Sequence, residues 1–170
     1  MARLKTYTAG INTHVHRDIF NLLEQPDHIR QARVLIVATT KAAAIAFPAS
    51  IGSRWVGTPY ASEVRVASGS DVDALAAAGL LDAPAVFVMP NGGFPGTGVV
   101  RVDADGFVKR VGRMVRTNGV AEFEPEGTVT VRVTPAARER LAAHLHMQST
   151  APMDECRRHA AAILAVLEGN

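Results

Sequence analysis

The stretch Gly98-Val99-Val100-Arg101-Val102-Asp103-Ala104-Asp105-Gly106-Phe107-Val108-Lys109-Arg110-Val111 decides the fold class. Apolar residues alternate with polar ones on both sides of Asp105-Gly106, and an Asp-Gly pair between alternating runs is a strong signature of a β-hairpin. Strands are therefore expected over 98–102 and 107–111. Downstream, the pattern continues through 114–117, Asn118-Gly119 offers a second turn, and the run 127–133 (Gly-Thr-Val-Thr-Val-Arg-Val) alternates cleanly. Thr134-Pro135 predicts a helix start running to about Met147, and Pro152 opens another helix that ends at Gly169. Upstream, residues 85–89 form a short apolar strand between Pro84 and Pro90. Ser70-Asp71-Val72-Asp73 reads as a capping box for a helix over 71–78 with Gly79 as its stop. Before it, residues 50–66 are punctuated by Gly and Pro, and Val64-Arg65-Val66 alternates like a half-buried strand.

The N-terminal third carries the ambiguous segment. Pro26 and Asp27 suit a first helical turn, and Ile29, Ala32, Ile36, Ala43 and Phe47 recur at three- and four-residue steps. The reading adopted is a helix over 26–47, stopped by Pro48 and preceded by a shorter one over 13–23. A buried strand over 33–40 competes, because Val34-Leu35-Ile36-Val37 is continuous and largely β-branched. Helices, then an antiparallel sheet, then helices make the class α+β, since strands do not alternate with long helices. No repeat or composition break demands a second domain. Residues 1–170 are read as one domain, with a hinge available at 149–152 before the last helix.

Composition bounds the rest. The chain has 170 residues, 48% hydrophobic and 20% charged, which excludes a wholly disordered chain. Aromatics are only 5%, so the core must come from Ala, Val, Leu and Ile. A net charge of +2 implies no nucleic-acid binding by itself. Cys156 is the single cysteine, which excludes an internal disulfide. The N-terminus lacks the apolar run of an export signal, and the most apolar stretch, 34–47, is shorter than the ~20 residues of a membrane span. A soluble protein in a reducing compartment is expected, with no membrane partner.

Candidate chemistry is sparse. His14 and His16 would share a face on a strand, as in metal-dependent hydrolases, but on the predicted helix their rings diverge and further ligands are missing. His144 and His146 meet the same objection, and Cys156 with His159 is only half a zinc site. No metal, cofactor or catalytic residue is expected. Gly92-Gly93-Phe94-Pro95-Gly96-Thr97-Gly98 leads into a strand and has no Lys, unlike a phosphate loop. It reads as a contact loop exposing Phe94, with a plain hairpin or a ligand loop as alternatives. Asp103-Ala104-Asp105-Gly106 is a turn rather than a calcium loop, because Met114 stands where Glu is required. Arg101, Lys109, Arg110, Arg113 and Arg116 cluster along the hairpin, offset by Asp103 and Asp105; a solvated strand face is the commoner reading, and the alternative is a surface that meets phosphate or an acidic partner, such as one bearing Glu122, Glu124 and Glu126. Base-stacking aromatics are scarce there, so sequence-specific nucleic-acid binding is not expected. Partner-contact candidates are Trp55, Phe94, Arg101, Lys109, Arg110 and Arg113.

Arg3-Leu4-Lys5, Gly10-Ile11, Leu22-Leu23, Gln25-Pro26, the Ala-rich segment around Ala32 and 42–46, and Pro59-Tyr60-Ala61-Ser62-Glu63-Val64-Arg65-Val66 together resemble the opening of small head–tail joining (neck or connector) proteins of tailed bacteriophages. The resemblance covers the first seventy residues. It implies a structural virion subunit made in the host cytoplasm, not an enzyme. Its partners would be copies of itself in a ring and other phage proteins (portal, adaptor, stopper or tail). In that ring the terminal helix, with Ala160, Ala161, Ile163, Leu164 and Leu167, would supply apolar contact surface. The alternative is a small bacterial enzyme or ligand-binding domain whose site is assembled in space from His14, His16, His144 or His146.

Overall fold

The computed structural model describes residues 3–26, 28–51, 54–92, 94–127, 135–148 and 151–168. The chain divides into two compact units, Met1–Gly127 and Thr128–Asn170.

The first unit is built on one seven-stranded sheet in which every neighbouring pair is antiparallel. Its strands are β1 (Lys5–Thr8), β2 (Ala32–Ala38), β3 (Arg65–Val66), β4 (Ala85–Pro90), β5 (Gly98–Asp103), β6 (Val108–Thr117) and β7 (Val120–Pro125), in the order β3-β1-β2-β4-β5-β6-β7. Three helices are interleaved: α1 (Arg17–Leu22), α2 (Lys41–Ser50) and α3 (Ser70–Ala77). The class is α+β, as the hairpin pattern implies.

The helix expected over 26–47 is not formed. Residues 32–38 are the central strand β2, and only the segment from Lys41 is helical. Both faces of β2 are covered, which removes the alternation that marks a half-exposed strand. Val34, Ile36 and Ala38 pack with Val86, Val88, Val100 and Val102 on the face that α1 and α2 cover. Leu35 and Val37 pack with Phe87, Met89, Val99 and Met114 on the face that α3 covers through Leu75. The Thr40 hydroxyl starts α2 by accepting the Ala43 N–H at 3.1 Å. Pro48 lies inside α2, which runs two residues further. α1 is shorter than the expected 13–23, and the N-cap of α3 is Gly69, so the Ser70 capping box is not made.

Both expected turns hold. Asp103 and Phe107 close the first, with Gly106 at φ +75°. Asn118 (φ +52°) and Gly119 (φ +81°) form the second, the left-handed pair that a two-residue hairpin requires. One irregularity matters for the site. Val99 faces Gly112 while Val100 faces Arg110, so Val111 is an extra residue in β6 and a β-bulge shifts the face pattern. The expected strand over 127–133 lies outside the described residues apart from Gly127.

The second unit is a pair of helices, α4 (Pro135–Gln148) and α5 (Met153–Glu168). Ala142, Cys156 and Ala160 are its buried contacts, flanked by Leu141, Leu145, Ala151 and Met153. Cys156 is therefore a small core residue. Ala161 and Ile163 are exposed, whereas the side chains of Leu164 and Leu167 lie outside the described set. The segment 149–152 joins α4 to α5 within this unit, and its first two residues are not described.

Candidate functional site

The basic residues of the β5–β6 hairpin are matched by acids of the same unit. Arg101 and Lys109 are cross-strand partners on one face, and both reach Asp103, at 2.6 Å and 4.0 Å. The Arg101 guanidinium also lies over the Phe87 ring, 5.8 Å from its centre. Arg110 lies on the opposite face by strand alternation, and the bulge at Val111 puts Arg113 on that face as well. Arg110 contacts Glu24 at 2.8 Å and Glu126 at 3.0 Å, and Arg113 contacts Glu124 at 2.8 Å. The acids anticipated on a neighbour's surface thus include two, Glu124 and Glu126, that neutralise these arginines within one chain.

Glu24 follows α1 with a positive φ of 59° and accepts the Thr97 hydroxyl at 2.6 Å. That hydrogen bond, with further help from the Arg110 and Arg113 charges, holds its carboxyl below the ordinary glutamate range, against the opposing pull of partial burial. The contact ties the end of α1 to the loop before β5. Glycine is required where that loop closes: a Cβ at Gly98 would strike the Leu22 carbonyl and the Leu23 backbone. At Gly96, with φ +110°, a Cβ would lie 2.7 Å from the Leu23 oxygen. The loop glycines thus serve close backbone approach rather than tight turning alone.

Arg116 has a different partner. Its Nη2 donates to Asp71 Oδ1 at 2.7 Å, and Arg33 Nη1 donates to Asp71 Oδ2 at 2.7 Å. Arg33 also donates to the Ser68 carbonyl at 3.2 Å. Asp71 is one of two buried polar or charged residues among those described, and it joins α3 to β2 and β6. Reading Asp71 only as a helix-start acid missed this role. A usable signal was present: Arg33 and Arg116 fall on the inward register with Leu35 and Met114, and a charge there needs a partner.

Two of the clefts among the described residues of this unit carry candidate contact residues. The first has a volume of about 340 Å³ and is lined by Met89, Asn91, Phe94, Thr97, Met114 and Arg116, among others. Phe94 is 40% exposed, and its loop is fastened by Phe94 N–H to the Asn91 carbonyl (3.1 Å) and Asn91 N–H to the Gln31 carbonyl (3.3 Å). The second, about 540 Å³, is lined by Ile19, Leu22, Trp55, Phe107 and Val108 with Asp18 and Asn21 at its polar edge. Trp55 is half-buried against the core and meets the His16 ring edge-on at 5.3 Å, with Arg54 over its own face at 4.9 Å. Phe107, not singled out as a contact from the sequence, is 65% exposed at the tip of the hairpin.

The histidines are placed apart in role. His16 caps α1, its Nδ1 accepting the Asp18 N–H at 3.3 Å, and Val15 bridges Val56 on extended backbone instead of continuing a helix. His146, on α4, has Nδ1 2.9 Å from the Ala151 carbonyl. Among the described residues no three His, Cys, Asp or Glu side chains gather as a metal site, and no helix is long and apolar enough to cross a membrane. No family model matches the chain, and neither a curated protein nor a solved structure matches it.

Proposed function

We propose that this chain is a structural virion subunit of a tailed bacteriophage, repeated in the ring-shaped head–tail connector, and that it works by burying surface against copies of itself. The observation that carries this reading is the Trp55–Phe107 groove. An aromatic side chain 65% exposed beside a half-buried tryptophan, over a floor that includes the fully buried Ile19, forms an apolar patch suited to burial in a contact. Aromatic anchors of this kind carry much of the energy at protein interfaces. The resemblance of the first seventy residues to neck proteins supplies the setting. With the hairpin arginines matched by acids of the same chain, association is left to the apolar groove.

Electron microscopy of the purified full chain tests this. Rings of uniform diameter are expected, and Phe107→Glu should dissolve them while leaving the thermal melt of the subunit unchanged. Particles that never exceed a single subunit, alone or with the rest of the virion proteins, would refute the reading.

A further inference from the structure

We propose that the cleft beneath Phe94 is a binding site for a small, largely apolar monocarboxylate, with Arg116 as the group that recognises its anion. The argument begins with charge. Asp71 carries one negative charge between two arginines, and both contacts measure 2.7 Å. The triad therefore keeps one positive charge unbalanced. Of the two cations Arg116 is the more open, with 43% of its side chain exposed against 25% for Arg33, and only Arg116 lines the cleft. One Nη2–H is committed to Asp71, which leaves the other Nη2–H and its neighbouring donor as one free edge of the planar fork for an incoming carboxylate. Asp71, itself buried, fixes the direction of the guanidinium, so orienting it costs a ligand little entropy.

The walls select the remainder of the ligand. Among the described residues no carboxylate lines the cleft, and the one beside it, Asp71, is outweighed by its two arginines. Met89, Met114 and Phe94 all line it, and thioether sulfurs make favourable contacts with aromatic rings. A volume of about 340 Å³ lies at the small end of ligand sites, which span roughly 300–1,000 Å³. An aromatic monocarboxylate of benzoate or phenylacetate size matches that space and that chemistry. The loop bearing Phe94 is held at Asn91 and, through Thr97, at Glu24, so the wall is in place before a ligand arrives.

The experiment is titration of the full chain with benzoate and, separately, with its uncharged isostere benzamide, followed by calorimetry and by the NMR signals of the Met89 and Met114 methyl groups. Benzoate is expected to bind at least about tenfold more tightly than benzamide, a difference of ~1.4 kcal/mol. Arg116→Gln should abolish that preference, and Arg116→Lys should retain part of it. Phe94→Ala should weaken both probes several-fold without lowering the melting temperature, which keeps the test valid should Arg116→Gln unfold. Equal affinity for the two probes would overturn the proposal. So would an unchanged preference in a folded Arg116→Gln protein, or methyl shifts that leave Met89 and Met114 untouched. None of these readouts depends on whether the chain forms a ring.

Discussion

Replacing Asp71 by Asn keeps the side-chain volume and removes the charge that two arginines share. Asp71 has 6% of its side chain exposed and receives Arg33 and Arg116 at 2.7 Å each. Removing one partner from a buried ion pair costs about 3–5 kcal/mol. Arg33 and Arg116 retain 25% and 43% of their side-chain exposure, so both partly rehydrate once released, which brings the expected loss to about 2–3 kcal/mol. For a unit of this size that is a fall in melting temperature of roughly 10 °C. Asp73 is the control, because it shares the first turn of α3 with Asp71 and is in none of the ion pairs described. Asp73→Asn should cost only the helix-terminus contribution of about 0.5 kcal/mol. Thermal and urea melts of the wild type, the two single variants and Arg116→Gln in both backgrounds complete the measurement. In the Asp71→Asn background, Arg116→Gln should add almost nothing, giving a coupling energy of at least ~1 kcal/mol. An Asp71→Asn protein within about 0.5 kcal/mol of wild type would refute the reasoning that this triad clamps α3 to the sheet.

Glu24→Gln should change the acid limb of the stability profile. The folded carboxyl titrates below its unfolded value of about 4.3, so its stabilisation is complete above that pH and fades as pH falls through the folded value. Melts from pH 7 to pH 3 should show wild type and variant converging only below about pH 4, with a gap at pH 7 under ~1 kcal/mol because Glu24 is 44% exposed. Gly98→Ala, whose Cβ meets the Leu22 carbonyl, should lose about 1–3 kcal/mol by overpacking. Gly119→Ala, with open space around it and φ +81°, should lose only about 1 kcal/mol of backbone strain, and urea melts of the two separate the effects.

The sequence was most readable where turns are specified locally. Asp105-Gly106 places β5 and the start of β6, and Asn118-Gly119 the turn that ends β6, because Gly106, Asn118 and Gly119 take a left-handed backbone that favours those residue types; β7 at Val120–Pro125 is not among the strands expected from the sequence. It misled at β2. Val34 to Val37 shows no alternation, since both faces of the central strand are covered, and Ala32 and Ile36 then mimic a helical step. Only the part from Lys41, capped by Thr40, obeys the helical period it suggested. The arginine cluster was visible as a list of residue types but not as pairs. Its sorting depends on Val111, an extra residue that no local signal marks, and on Glu24 and Asp71, which are more than forty residues away from Arg110 and Arg116. Trp55 and Phe94 stand out by their Gly- and Pro-rich surroundings, and each lines a cleft. Phe107 follows a turn and reads as the first residue of a strand, so local sequence does not mark it as a contact. The face on which it stands is set by hairpin register, a tertiary property.

Static light scattering of the purified full chain is the most direct test of the assembly reading. The subunit mass is 18.0 kDa. A single species at a fixed multiple of that mass, constant over a hundredfold range of concentration and lost in Phe107→Glu, is the expected result. A wild-type protein that stays at 18.0 kDa throughout, with or without other virion components, would contradict it.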